Sequence, residues 1–258
     1  PLALGVDASA EGISAIYGMP DLSQSTGQEK SEEDGGARVL QISGQNFQEI
    51  ENAYDRSQEK FLDMGHLQVL VLGETILEDG RWQMVLDYLK DEPFVGEDLY
   101  IFRAENVQEI LSWQGEDNSS LGEYLTGLIE NRMSEKNVKT VTLRDVFYEK
   151  YQHGKMPDLP QVRIALENVA IEKACDRMSE EEMGRLWLAA KEFEHTIAEG
   201  NLVKLAEADV AFHEIIYKAS DNKRLIQVLN NMREQIYRYR VEYLKEGETR
   251  DLLVKEHE

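Results

Sequence analysis

The chain has 258 residues, with 28 basic side chains against 50 acidic ones and a formal charge of −22, a balance that disfavours nonspecific attraction to nucleic acid or anionic lipid. Its one cysteine, Cys175, excludes an internal disulfide framework and a thiolate-rich metal site. No apolar run approaches the roughly 18 residues of a membrane span.

The length suits two ordinary domains, each able to bury its own core. Leu2 to Val6 and Ile13 to Met19, with the polar stretch Asp7 to Gly12 between them, predict an antiparallel hairpin. Asp21 to Gly36 is rich in Ser, Gln, Gly, Glu and Asp and reads as a long loop. Val39 to Ser43 resumes as a strand. Asn46 to Leu62 spaces Phe47, Ile50, Tyr54 and Phe61 as a helix, and the apolar run Leu67 to Leu72, in which only Gln68 is polar, predicts a strand covered on both faces. There follow a helix over Thr75 to Asp91, a break at Pro93 to Gly96, a strand at Leu99 to Arg103, and short helices from Glu105, Leu121 and Leu143. Residues 1–161 therefore read as a mixed α+β sheet domain with packed helices.

From Val162 to Glu258 the periodicity is helical and proline is absent, which predicts an all-α antiparallel bundle. Arg163 to Met178 places Ile164, Leu166, Val169, Ala170 and Ala174 on one stripe, with Cys175 expected as a small core side chain. Ser179 and Glu182 have capping-box spacing. The next helix carries Met183, Leu186, Leu188, Phe193 and Ile197 and ends at Gly200. A third spans Leu202 to Ser220, and a fourth spans Lys223 to Leu244 behind an Asn222 cap. The charge is uneven: the part before Val162 carries −17 and the part from Val162 on carries −5.

Few residues carry chemistry. His66 opens a buried strand with no second His, Cys or Ser beside it and reads as structural. Gly115 to Ser120 bunches oxygen ligands without the spacing of a calcium loop and reads as a solvated turn before a helix cap. No phosphate-cradling glycine loop is present. Asp209 and His213 lie four apart on the third helix, hence on one face, where a carboxylate and an imidazole suit zinc, manganese or nickel or form an ordinary hydrogen bond. Tyr237 to Arg240 interleaves aromatic and basic residues, but its acidic surroundings mark a helix face. His195, beside Glu194, is expected to be solvated.

Residues 1–158, through Leu2-Ala-Leu-Gly-Val-Asp7, Tyr17-Gly-Met-Pro20, Gly65 to Gly73 and Leu86 to Phe94, resemble the N-terminal domain of the Ger(x)C family, the C subunits of spore germinant receptors. That resemblance implies a lipid-anchored protein of the spore inner membrane working beside integral-membrane A and B subunits, and no enzyme activity. The segment from Val162 on carries Arg163-x-x-Leu166-Glu167, Ser179 with its acidic run, Asp209, Phe212-His213, Asn222 and Glu256-His257. It resembles the FCD effector domain of cytoplasmic GntR-family regulators. That resemblance implies a divalent metal held by Asp209, His213 and His257, with a fourth ligand that has no counterpart before Glu258. Weakened metal binding and frayed structure over Glu246 to Glu258 are the expectation. It also implies a small organic acid as effector with Arg163 facing it, although an ion pair between Arg163 and Glu167 explains that arginine equally. A homodimer through the bundle is a further implication. Because no winged-helix pattern precedes the bundle, the chain is not expected to bind DNA by itself.

The leading expectation is a noncatalytic composite joined near Leu159 to Val162. A regulator sensing small acids through an atypical input domain is the alternative, and a metal-dependent enzyme built on Asp209, His213 and His257 is a third reading.

Overall fold

Alternating apolar residues build the first of two compact units, Pro1–Val162, around a five-stranded sheet. The structure is a computed structural model and describes residues 2–18, 39–58, 62–112, 121–130, 140–199, 201–230 and 232. Strands β1 (Leu2–Ser9) and β2 (Gly12–Gly18) pair antiparallel from Ala3↔Gly18 to Ser9↔Gly12. The turn is therefore only Ala10 and Glu11, much shorter than the polar stretch predicted. Polar Asp7 and Ser9 stay in the ladder, and Gly12 takes a φ of 137°, a conformation open to glycine. β3 (Val39–Gly44) runs antiparallel to β2, while β4 (Leu67–Gly73) is parallel to β1 and β5 (Tyr100–Ala104) is parallel to β4. The order across the sheet is β3-β2-β1-β4-β5.

Helix α1 (Phe47–Ser57) starts at Asn46, whose side chain accepts from the Glu49 N–H, and stops short of the predicted end. Phe61 lies outside the described residues. The single helix expected over Thr75 to Asp91 is two, α2 (Glu74–Glu78) and α3 (Trp82–Asp91). Gly80, with a φ of 80°, and the Asp79 carboxylate, which accepts from the Arg81 N–H, make the break. Even-numbered residues of β1 and β4 (Leu4, Val6, Leu70, Leu72) face the main core with Ile50 and Tyr54 of α1, Val85 and Leu86 of α3, and Leu143 and Val146 of α6 (Leu143–His153).

The other face of the sheet sets small residues where two short helices cross it. A Cβ on Gly5 would collide with Val107 and Leu111 of α4 (Val107–Leu111), and Gly122 of α5 (Leu121–Glu130) sits against Ala3. These close approaches bury Ile16, Val69, Val71 and Phe102 beneath the two short helices. The outer edge of β5 is also closed. The Ile101 N–H donates to the Val141 carbonyl at 2.8 Å and the Arg103 N–H to the Pro160 carbonyl at 3.0 Å, while Leu159 is buried in the core. The stretch expected as a join between parts is thus pinned to the sheet.

The second unit, Arg163–Glu258, is helical among its described residues. α7 begins at the boundary (Val162–Arg177) and is followed by α8 (Glu180–Glu199), α9 (Leu202–Ala219) and helical residues 223–230. α8 and α9 pack together and, joined across two residues, run antiparallel. Ser179 and Glu182 form the expected reciprocal cap, and Asn222 accepts from the Leu225 N–H. Leu166, Val169, Ala170 and Ala174 are buried as predicted, but Ile164 and Cys175 are exposed. At about 100° per residue both lie more than roughly 100° round α7 from Ala170. On α8 the inward face is set by Phe193 and Thr196, so Met183 and Leu188, expected inside, are exposed. Leu188 is roughly 140° from Phe193. The predicted cap Gly200 and the segments Asp21 to Gly36, Gly115 to Ser120, Tyr237 to Arg240 and Glu246 to Glu258 lie outside the described residues.

Candidate functional site

Helix α9 is fixed at its start by Asn201, whose side chain accepts from the N–H groups of Val203 and Lys204 at 3.1 and 3.2 Å. At its end Arg177 of α7 donates to the Ser220 carbonyl at 2.9 Å, just before Asp221 turns to a positive φ of 48°. Between these anchors the helix buries Leu205, Ala206, Phe212 and Ile216. It also buries a carboxylate, since Asp209 is 2% exposed.

One turn on, His213 Nε2 stands 3.6 Å from Asp209 Oδ1. That is too long for a direct hydrogen bond. Two ligands held at ~2.1 Å by one tetrahedral ion stand ~3.4 Å apart, so an oxygen and a nitrogen at this separation fit a shared divalent metal. The His213 ring is held edge-on by Phe212 at 5.4 Å and flanked by Tyr217 at 5.9 Å between centroids. The third predicted ligand, His257, lies outside the described residues. Among the described residues no three His, Cys, Asp or Glu side chains stand together as a metal-binding group.

Arg163 makes the ion pair with Glu167 that its helical spacing allows: Nη1 lies 3.1 and 3.3 Å from the two carboxylate oxygens. Glu167 has a second partner, because the Tyr217 hydroxyl donates to its Oε1 at 2.8 Å. The predicted ligand arginine and the predicted metal pair are thereby brought into one polar row, Arg163, Glu167, Tyr217, His213, Asp209. Tyr217 was missed from the sequence. The signal was its place four residues beyond His213 and eight beyond Asp209, on the same helix face.

Unit 1 has polar knots of another kind. Arg81 donates to the Ser9 carbonyl at 3.1 Å, to the Gly12 carbonyl and to Asp79, tying the hairpin turn to the α2–α3 corner. Asp7 is raised above its ordinary value by burial, against N–H bonds from Ala8 and Ile76 that lower it. Tyr88 donates to Glu51 at 2.8 Å and stacks on Phe47, and burial pushes both Tyr17 and Tyr88 well above the usual phenol range. His66 is not a core residue: its side chain is 79% exposed, 3.6 Å from Asp63. His195 is exposed as expected.

Comparison with known families gives two matches that meet at the unit boundary. Residues 1–164 match the spore germination protein N-terminal domain, and residues 158–258 match the FCD domain. The overlap holds the pinned strand edge and the first residues of α7. No curated protein and no solved structure matches the chain.

Proposed function

The chain belongs to the spore germination protein N-terminal domain family, and from that premise we propose that it is a non-enzymatic germination component whose FCD segment senses a small carboxylate beside a divalent metal. The polar row on α7 and α9 carries this reading. Asp209 and His213 would hold zinc, manganese or nickel, with His257 as a third ligand. When bound, such an ion supplies positive charge for a carboxylate or hydroxyl oxygen of the effector. Arg163 would take a carboxylate through its two-nitrogen fork.

The first unit would serve as the assembly module, docking with germinant-receptor A and B subunits at the spore inner membrane, since its buried polar residues fasten turns and helices rather than converge on a reacting atom. The helical unit would support a homodimer. Binding of DNA by this chain alone is not part of the reading: the net charge of −22 opposes it. Isothermal titration of zinc, manganese and nickel chlorides into the chelator-treated chain tests the proposal. Saturable binding by at least one ion, lost in His213→Ala, is expected. Absence of saturable binding by all three would sink it.

A further inference from the structure

We infer that Glu167 is an internal competitor for the carboxylate seat on Arg163, and that it sets the affinity of effector binding. The inference rests on the proposed sensing role. Glu167 reaches Arg163 from one turn along α7, and both its oxygens face the same nitrogen, Nη1, at 3.1 and 3.3 Å. A ligand carboxylate approaching the guanidinium side-on would bridge two nitrogens in parallel, the stronger arrangement. The internal pair also has the less favourable order for a helix, with the base preceding the acid at i,i+4. Glu167 is therefore a partner that a better carboxylate displaces.

The second bond of Glu167 shows where it goes. Its Oε1 already accepts from the Tyr217 hydroxyl at 2.8 Å, so a Glu167 released from Arg163 keeps a donor on α9. The Glu167 side chain is 14% exposed and that of Arg163 is 27% exposed, so the pair is screened from bulk water while the arginine remains reachable. An incoming monocarboxylate must then share this corner with a retained negative charge. A ligand whose other oxygen rests on the ion proposed at Asp209 and His213 gains a further attraction that offsets this repulsion.

If Glu167 engages Arg163 about nine-tenths of the time, the apparent affinity of the effector is lowered about tenfold. Glu167→Gln keeps the length and the acceptor for Tyr217 and removes the charge; Glu167→Asp keeps the charge but withdraws it by one methylene. Titration calorimetry of citrate, malate and acetate into the zinc-treated full chain, with circular dichroism as the folding control, tests the idea. Expected is an affinity about tenfold higher in Glu167→Gln for each of these acids that binds, and a smaller gain in Glu167→Asp. Equal citrate and malate affinities in wild type and both variants overturn the inference while carboxylate sensing stands. Failure of every form to bind any of the three acids overturns the sensing role, and this inference with it.

Discussion

Gly73 ends β4 where the chain turns into α2, and its missing side chain is what lets the Asp7 carboxyl lie against the backbone. A Cβ built on Gly73 would fall inside the van der Waals envelope of the Asp7 Cγ and both carboxylate oxygens. The Gly73 backbone itself, at φ −68° and ψ 155°, is one that alanine adopts freely. Gly73→Ala therefore has two opposed effects. Forcing Asp7 aside strains the corner and breaks its bonds from Ala8 and Ile76, an overpacking cost of about 1–3 kcal/mol. Narrowing the unfolded ensemble returns about 0.4–1 kcal/mol. The net expectation is a loss of roughly 1–2 kcal/mol.

The obstructing atoms all lie beyond the Cβ of Asp7, so Asp7→Ala clears the space. In that background Gly73→Ala should become neutral or stabilising by up to ~1 kcal/mol, giving a coupling of about 2 kcal/mol between the positions. Native-state hydrogen exchange of β1 and β4 peptides in the four proteins of this cycle assigns the energy to this unit even if the two units unfold separately. Additivity within about 0.5 kcal/mol would refute the claim that the carboxyl occupies the space of the missing side chain.

Three other outcomes follow from the same geometry. Asp7 holds its proton more tightly when folded than the ordinary value of 3.8, so its contribution is fully present below that pH and is lost as pH rises through the raised value. Asp7→Asn should raise Tm at pH 7, with the advantage vanishing near pH 3 in a thermal melt series. Tyr217 is 4% exposed, and Tyr217→Phe should cost about 1 kcal/mol through the lost bond to Glu167, read by urea denaturation of the helical unit. Limited trypsin should cut after Lys155, which is exposed, faster than after Arg163, which lies in the first turn of α7 beyond the pinned Leu159 and Pro160; the reverse order would show that the strand edge does not hold.

The strands of the first unit were legible because each buries one or both faces and so writes an alternation or an apolar run into the chain, the run being that of Leu67 to Leu72. The helix break at Asp79-Gly80 was legible in principle as a turn dipeptide, but the apolar spacing of Ile76, Val85 and Leu89 masked it. The small-residue face was not legible, because Ala3, Gly5 and Gly122 signal a close approach only once the opposing helix is known. In the second unit the period was right, and the phase held for Leu166, Val169, Ala170, Ala174 and Phe193 but not for Ile164, Met183 and Leu188. Exposed Ile164, Met183 and Leu188 are as apolar as the buried residues, and hydrophobicity alone cannot say which stripe turns inward when a helix carries two.

The candidate site shows the complementary limit. Asp209 and His213 could be paired from spacing because a helix repeats its face every four residues, and the same rule extended by one step would have found Tyr217. No spacing rule reaches from α9 to Glu167, because that bond depends on how two helices pack. Yet one property separates this row from the surface ion pairs of α8, such as Lys191 with Glu194: two of its members, Asp209 and Tyr217, are buried and the other three are half-buried. Burying a carboxylate such as Asp209 costs several kcal/mol unless positive charge or donors compensate it, and leucine or alanine would fill the same helix face without that cost. A carboxylate kept inside a helical unit is the kind of local departure from apolar packing expected at a functional site. The weight of the functional reading therefore falls on Asp209, His213, Tyr217, Glu167 and Arg163 together, and Asp209→Asn, which keeps the shape of the side chain and removes its charge, should lose the metal-binding heat while circular dichroism shows the fold retained. If Asp209→Asn instead keeps the full metal-binding heat, the carboxylate serves the fold, and the row loses its claim to be a site.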